Sequence, residues 1–176
     1  ARSSYNGRLL WEGVIPENVE SNMPLYAVAD GKLYLGSGAR AEVEVRDLFT
    51  GERLPGITLG GEDRRVKWLA IVDGVLYVLL GPPMEVREPY RFALQRRVFQ
   101  QQEKQNSLFG DELLSCDLSS GDVLWKHHEP KPIDFRAVAL HQGKAFFYSE
   151  GERLACLNAA NGKLVWENDD RSWIDS

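Results

Sequence analysis

The chain has 176 residues, is 43% hydrophobic and 27% charged, and carries a net charge of −5. That balance excludes the basic groove that a nucleic-acid binder presents. No apolar run of about 18 residues is present to cross a membrane as a helix, and the length fits one domain.

The first stretch, Ser4-Tyr5-Asn6-Gly7-Arg8-Leu9-Leu10-Trp11, reads as the end of a hairpin already half over. Residues 1–12 are therefore expected to be the last strand of a preceding unit. A polar crossing with Pro16, Glu17, Asn18, Glu20, Asn22 and Pro24 follows. Then Ala27-Val28-Ala29 and Leu33-Tyr34-Leu35 flank Asp30-Gly31, a strand, a two-residue turn and a strand. A second kind of hairpin surrounds Asp47-Leu48-Phe49-Thr50-Gly51. Asp47 can bond the amides ahead of it and start the turn, and Gly51 supplies the positive φ that closes it. Pro55 stands where a Trp is expected, which makes the last strand edge-like because Pro donates no hydrogen bond. Residues 25–54 form the first complete unit in this reading.

After a crossing over residues 56–65, the pattern returns in residues 66–126. Asp73-Gly74 joins two strands, and Asp117-Leu118-Ser119-Ser120-Gly121 leads to a strand ending in Trp125. Between these hairpins lies an insertion, residues 81–111. Gly81-Pro82-Pro83 stops the strand, and residues 89–105 read as a helix with Tyr90, Leu94 and Val98 on one face. Pro89 suits its first turn, and Arg91, Arg96, Arg97 and Lys104 lie on the other side. Such a helix either caps a blade or, through Tyr90, Arg91, Arg96 and Arg97, faces a partner.

His127-His128-Glu129-Pro130 reads as a solvent-exposed crossing into the last unit, residues 133–167. There Gln142-Gly143 joins one pair of strands. Leu154, Cys156, Leu164 and Trp166 alternate with smaller or polar residues on either side of Asn158-Ala159-Ala160-Asn161-Gly162. Cys116 and Cys156 sit just before successive turns and read as small buried hydrophobes rather than a disulfide. A further crossing begins at Asn168-Asp169-Asp170, and Trp173 stands there as Trp68 does before an earlier first strand.

One unit is thus four strands, and its turn glycines are Gly7, Gly51, Gly121 and Gly162. Two of their three intervals fall in the roughly 40–50 residue range of a propeller blade, and the third is longer by about the insertion. A lone four-stranded sheet with two apolar faces cannot stand in water, whereas radial stacking buries both. The fold class expected is all-β: four-stranded antiparallel propeller blades, about three full and one partial, with one helical insertion. Because closed propellers hold typically four to eight blades, the chain is expected either to be part of a longer one or to close a ring as a homodimer.

The endings Asp117…Gly121…Trp125, Asn158…Gly162…Trp166, Asn6-Gly7…Trp11 and Asp47…Gly51, of the type D-x-x-T-G-x-x-x-W after a D-G-x-[LV]-Y hairpin, resemble the PQQ-like (quinoprotein alcohol dehydrogenase-like) β-propeller repeat. A WD repeat is not indicated, since neither its Gly-His start nor its Trp-Asp end occurs. The resemblance implies two functions. One is a non-catalytic module, periplasmic or otherwise extracytoplasmic, that binds protein partners or the rest of the same propeller and needs no cofactor. The alternative is part of a PQQ-dependent dehydrogenase holding quinone and calcium. The family's vicinal cysteine pair is missing, and its calcium ligands match no positions in this chain.

The residues offer little chemistry of their own. His127 and His128 are adjacent, so on an extended chain they point apart and do not share a metal. Glu167, Asn168, Asp169 and Asp170 offer oxygen atoms to calcium but read as a solvated crossing. Trp11, Trp125 and Trp166 read as inter-blade packing rather than a stacking platform. Gly36-Ser37-Gly38 has no helix after it, and no nucleophile frame or zinc spacing occurs. No catalytic or metal residue is assigned.

Overall fold

The computed structural model describes residues 1–2, 6–13, 25–37, 40–83, 109–149 and 151–170. Among them the strands are β1 (Tyr26–Ala29), β2 (Lys32–Gly36), β3 (Glu42–Asp47), β4 (Arg53–Thr58), β5 (Arg65–Val72), β6 (Val75–Gly81), β7 (Phe109–Asp117), β8 (Val123–Asp134), β9 (Ala139–His141), β10 (Lys144–Ser149), β11 (Arg153–Asn158) and β12 (Leu164–Asn168). A short 3-10 turn, Phe135–Ala137, precedes β9. The helix expected over residues 89–105, with Tyr90, Arg91, Arg96 and Arg97, lies outside the described residues.

β1 to β4 form one antiparallel meander. The remaining strands run β12-β11-β10-β8-β7-β6-β5, with β9 beside β10. β8 meets β10 through one register pair, Ile133 with Ser149. This sheet is therefore two four-stranded blades, β5–β8 and β9–β12, linked by the tail of β8. The Ser149 hydroxyl donates to the Lys131 carbonyl at 3.2 Å and fixes that link.

Turn chemistry sets the strand order. Asp30, Asp73 and Gln142 take φ of 49°, 50° and 46°, and the glycines after them 70°, 75° and 70°. Two successive positive φ values define the type I′ turn, whose twist matches that of the strands it joins. The second turn of each blade is organised by an acceptor side chain. Asp47 Oδ1 accepts from the Phe49 and Thr50 amides at 2.9 and 2.8 Å. Asp117 Oδ1 accepts from those of Ser119 and Ser120, both at 2.9 Å. Asn158 Oδ1 accepts from the Ala160 amide at 2.9 Å. The two turns of a blade also bond each other: the Leu48, Leu118 and Ala159 amides donate to the Gly31, Gly74 and Gly143 carbonyls at 2.8, 3.0 and 2.9 Å.

Two cores follow from the stacking. Tyr34, Val43 and Val45 of the first blade pack with Leu69, Leu76, Val78, Leu114 and Cys116 of the second. On the other face of the second blade, Tyr77, Leu79, Leu113 and Trp125 pack with Ala145, Phe147, Ala155 and Leu157 of the third. Successive residues of β6 enter different cores, so the strand is apolar throughout rather than alternating. Each such aliphatic side chain contributes about 1.5–3 kcal/mol by leaving water.

Three expectations need correction. Residues 127–130 are part of strand β8 rather than an exposed crossing, and Glu129 is 3% exposed. Pro130 and Pro132 are accommodated because they lie on the outermost strand of a blade, where a missing donor costs little. Trp68 lies inside β5, not before it. Cys116 and Cys156 do not occupy equivalent places. Cys116 stands one residue before Asp117 and Cys156 two before Asn158, so they fall on opposite faces of their sheets. Both are buried and free, and burial pushes the Cys116 thiol up to about 11, which keeps it protonated and unreactive near neutrality.

Candidate functional site

Twice in the molecule a tryptophan is seated on the turn of the next blade. Trp125 is the third residue of β8, and its indole Nε1 donates to the Ala159 carbonyl at 2.8 Å. The Tyr77 hydroxyl donates to the same carbonyl at 3.3 Å, and the two rings meet with centroids 6.2 Å apart. Gly162 makes room for the indole: a Cβ there would come within 2.6 Å of the ring. Trp11 repeats this arrangement on the first blade, its Nε1 donating to the Leu48 carbonyl at 2.8 Å. A Cβ at Gly51 would lie 2.5 Å from the Trp11 ring. In both turns the acceptor carbonyl is three residues before the glycine, so one sequence signature builds both seats.

The junction between the first two blades departs from this rule. Pro55 holds the tryptophan position, in a strand whose register shifts between Val43 and Val45. Among the described residues Gly121 is met there only by the Ile57 side chain, its Cγ1 and Cγ2 each 3.8 Å from where a Cβ would be. At the far end Trp166 is 42% exposed where Trp125 is 7% exposed, and its ring lies beside Phe146 with centroids 6.1 Å apart. The expectation of inter-blade packing therefore describes Trp11 and Trp125, whereas among the described residues Trp166 has no turn beneath it.

The outermost strands show a second recurring feature. Each tryptophan follows a pair of exposed aliphatic residues: Leu9-Leu10, Val123-Leu124 and Leu164-Val165, between 39% and 51% exposed. The first blade departs from this pattern, with Arg53-Leu54 before Pro55.

Two ionic groups centre on largely buried glutamates. Glu129, in β8, accepts from Arg153 Nε and Nη2 at 3.1 and 2.8 Å and lies 3.2 Å from His127 Nε2. Arg153, in β11, also bonds Glu167. Burial would raise the Glu129 carboxyl, but the hydrogen bonds from Arg153 and His127 and their charge hold it below the ordinary value. This network ties the second blade to the third. The alternation Trp125, His127, Glu129 along one face of a strand was the signal for it, hidden by the two prolines. The other group borders a cleft of about 430 Å³ on the first blade, lined by residues that include Ser37, Arg40, Glu42, Glu44 and Arg53. Its Glu44 accepts from Arg46 at 2.6 Å and from Arg53. Here too burial opposes and the two guanidinium groups outweigh it, keeping the carboxyl below its usual range.

Among the described residues no three His, Cys, Asp or Glu side chains converge as metal ligands. No helix among them is long and apolar enough to cross a membrane. Asp169 and Asp170 follow β12 on the surface, with the Asp170 amide donating to Asn168 Oδ1 at 2.9 Å. Of the residues proposed from sequence, the structure brings Trp11 to Gly51 and Trp125 to Gly162. It leaves Gly7 and Trp166 at opposite ends of the array.

Residues 110–176 match the family model described as outer membrane protein assembly factor BamB. Comparison with curated proteins returns no match. Among solved structures, BamB from Moraxella catarrhalis aligns with a TM-score of 0.57 at 14% identity, over 93% of this chain and 40% of that one. The computationally designed Ika4 protein aligns with 0.54 at 15% identity, over 90% and 79%. The designed Ika8 protein aligns with 0.51 at 14% identity, over 82% and 35%. This chain thus spans well under half the length of Ika8 and BamB, and at these identities the likeness concerns the fold. Residues 110–176, which span β7 to β12, are thus similar to the PQQ-like repeat of that family model, and the chain as a whole shares the β-propeller fold of these structures.

Proposed function

We propose that the chain is a non-catalytic propeller module that binds other proteins outside the cytoplasm, in the manner implied by a family described by outer-membrane protein assembly. The observation that carries this reading is the recurrence of an exposed aliphatic pair before Trp11, Trp125 and Trp166. A monomeric surface rarely repeats exposed apolar residues in register without a use for them, and rimmed apolar patches mark interaction sites. The chemistry is also that of recognition. The charged groups described at the blade junction and in the cleft are engaged in ion pairs that hold strands together, which leaves the rim as the surface offering free energy to a partner.

The test uses the full chain and a variant carrying Val123→Thr and Leu124→Lys, which alters the rim without touching Trp125. Binding to outer-membrane β-barrel polypeptides held unfolded, and to soluble domains of the machinery that assembles them, is measured by surface plasmon resonance. Saturable binding that the variant loses supports the reading. Equal binding by both proteins removes the rim as the site. Stoichiometric uptake of the quinone with calcium, read by its absorbance, replaces the module reading with the dehydrogenase one.

A further inference from the structure

We propose that the contact between the first and second blades is a joint: the second and third blades move as one body, and the first rocks on them, opening from its outermost strand inward. The two junctions are built from the same parts and fastened differently. Between β5–β8 and β9–β12, the Tyr77 hydroxyl and the Trp125 indole both donate to the Ala159 carbonyl, at 3.3 and 2.8 Å. Arg153 of the third blade holds Glu129 of the second at 2.8 and 3.1 Å. Ile133 of β8 pairs with Ser149 of β10, which makes one sheet of the two blades. The indole, the glutamate and the strand pair all lie on β8, the outermost strand.

Between the first and second blades those places are filled by groups that make no directional bond. Tyr34 lies opposite Val45 as Tyr77 lies opposite Ser115. On the other side of Val45 stands Leu54, where the second blade sets Trp125 against Ser115. Leu118 and Gly121 correspond to Ala159 and Gly162, with φ of 78° and 68° at the two glycines. Tyr34 is 2% exposed, yet among the described residues its hydroxyl makes no hydrogen bond and the Leu118 carbonyl accepts none. Ile57 meets Gly121 by ordinary aliphatic contact, and β1–β4 remain a sheet of their own. The inner strands supply the pivot. A Cβ on Gly36, at the end of β2, would meet Val66 Cγ1 at 2.7 Å, and the Val66 amide donates to the Ser37 carbonyl at 3.3 Å. Apolar burial is non-directional, so Tyr34, Val43 and Val45 against Leu69, Leu76 and Val78 hold the blades together without fixing their angle. Hydrogen bonds and strand pairing fix both distance and angle. In a linear array each junction carries its own interface energy, and opening begins where the directional ties are fewest. The inference concerns motion within the chain and stands independently of the rim.

Amide hydrogen exchange, measured by nuclear magnetic resonance on the full chain, compares β2 and β3 with β10 and β11. Each of these strands has a neighbour on both sides, so the comparison is between the two junctions. The expected result is that the slowest amides of β2 and β3 exchange roughly a hundredfold faster than those of β10 and β11, after correction for intrinsic rates. In mild urea they should speed up together, as one opening unit. Trp125→Ala removes the indole tie of the second junction. Exchange in β10 and β11 should then rise roughly tenfold or more, while β2 and β3 keep their rates. Circular dichroism verifies that the variant is folded. Glu129→Gln weakens the Arg153 tie without emptying the core, and it serves as a second variant with the same expected direction. Equal protection in the two pairs of strands, or faster exchange in β10 and β11, overturns the proposal. So does a folded variant that raises exchange in β2 and β3 as much as in β10 and β11, since the blades would then open as one body.

Discussion

Gly162→Ala isolates the energy of one seat. The added methyl would lie 2.6 and 2.7 Å from atoms of the Trp125 ring, closer than side-chain carbons pack, so the indole must withdraw. Three costs follow. Holding a non-glycine residue at φ 68° costs about 1 kcal/mol. Losing the Nε1 bond to the Ala159 carbonyl costs about 1 kcal/mol. Partial unpacking of a ring that is 7% exposed costs about 1–2 kcal/mol. The expected loss is about 3–4 kcal/mol, below the roughly 3–5 kcal/mol ceiling for removing a buried tryptophan outright. Gly121→Ala is the control. Its φ of 78° imposes the same backbone cost, but only Ile57 lies nearby, at an ordinary 3.8 Å, so the loss should be about 1 kcal/mol. Urea unfolding of both variants supplies the comparison. In a Trp125→Ala background the Gly162→Ala cost should shrink to the backbone part alone. Equal losses at Gly162 and Gly121, or a Gly162 cost unchanged without the indole, would refute the reasoning.

The Ser115 hydroxyl is buried without a hydrogen-bond partner among the described residues, so Ser115→Ala should stabilise by about 1 kcal/mol; a lower urea midpoint would count against this. A Cβ at Gly110 would meet Leu79 Cγ and the Leu80 carbonyl at 2.5 Å each. Gly110→Val should therefore cost more than about 4 kcal/mol and lower soluble yield, which expression and thermal melting would reveal. The Glu129 carboxyl is depressed in the folded chain, so the unfolded chain binds its proton first as pH falls. Its contribution is present above the unfolded value of about 4.3 and is lost as pH drops toward the folded one. Glu129→Gln should flatten the acid limb of a stability–pH curve, and an unchanged limb would show that other carboxylates set it.

Local turn chemistry was the legible part of this fold. Asp47, Asp117 and Asn158 with their glycines, and the Asp30-Gly31, Asp73-Gly74 and Gln142-Gly143 pairs before them, act through backbone geometry and side-chain acceptors within five residues, so the sequence displays the cause directly. What lay across blades was less visible. Pro130 and Pro132 masked the continuation of β8, because a proline reads as a break unless one knows that it lies on an outermost strand. With that strand unseen, the Glu129–Arg153 bond between blades could not be inferred. Trp166 looked identical to Trp125 in its own hairpin, and exposure is decided by what lies beyond the hairpin. A one-residue offset between Cys116 and Cys156 inverted their faces, since strand side chains alternate with period two.

The central claim is that Trp11 and Trp125 each rest on the turn glycine of the blade that follows. It is tested most directly by nuclear magnetic resonance on the full chain with labelled tryptophan and glycine. The account predicts a Trp125 indole N–H that exchanges slowly with solvent and shows a nuclear Overhauser effect to the Gly162 α-protons. Rapid exchange of that indole, with no magnetisation transfer to Gly162, would contradict it.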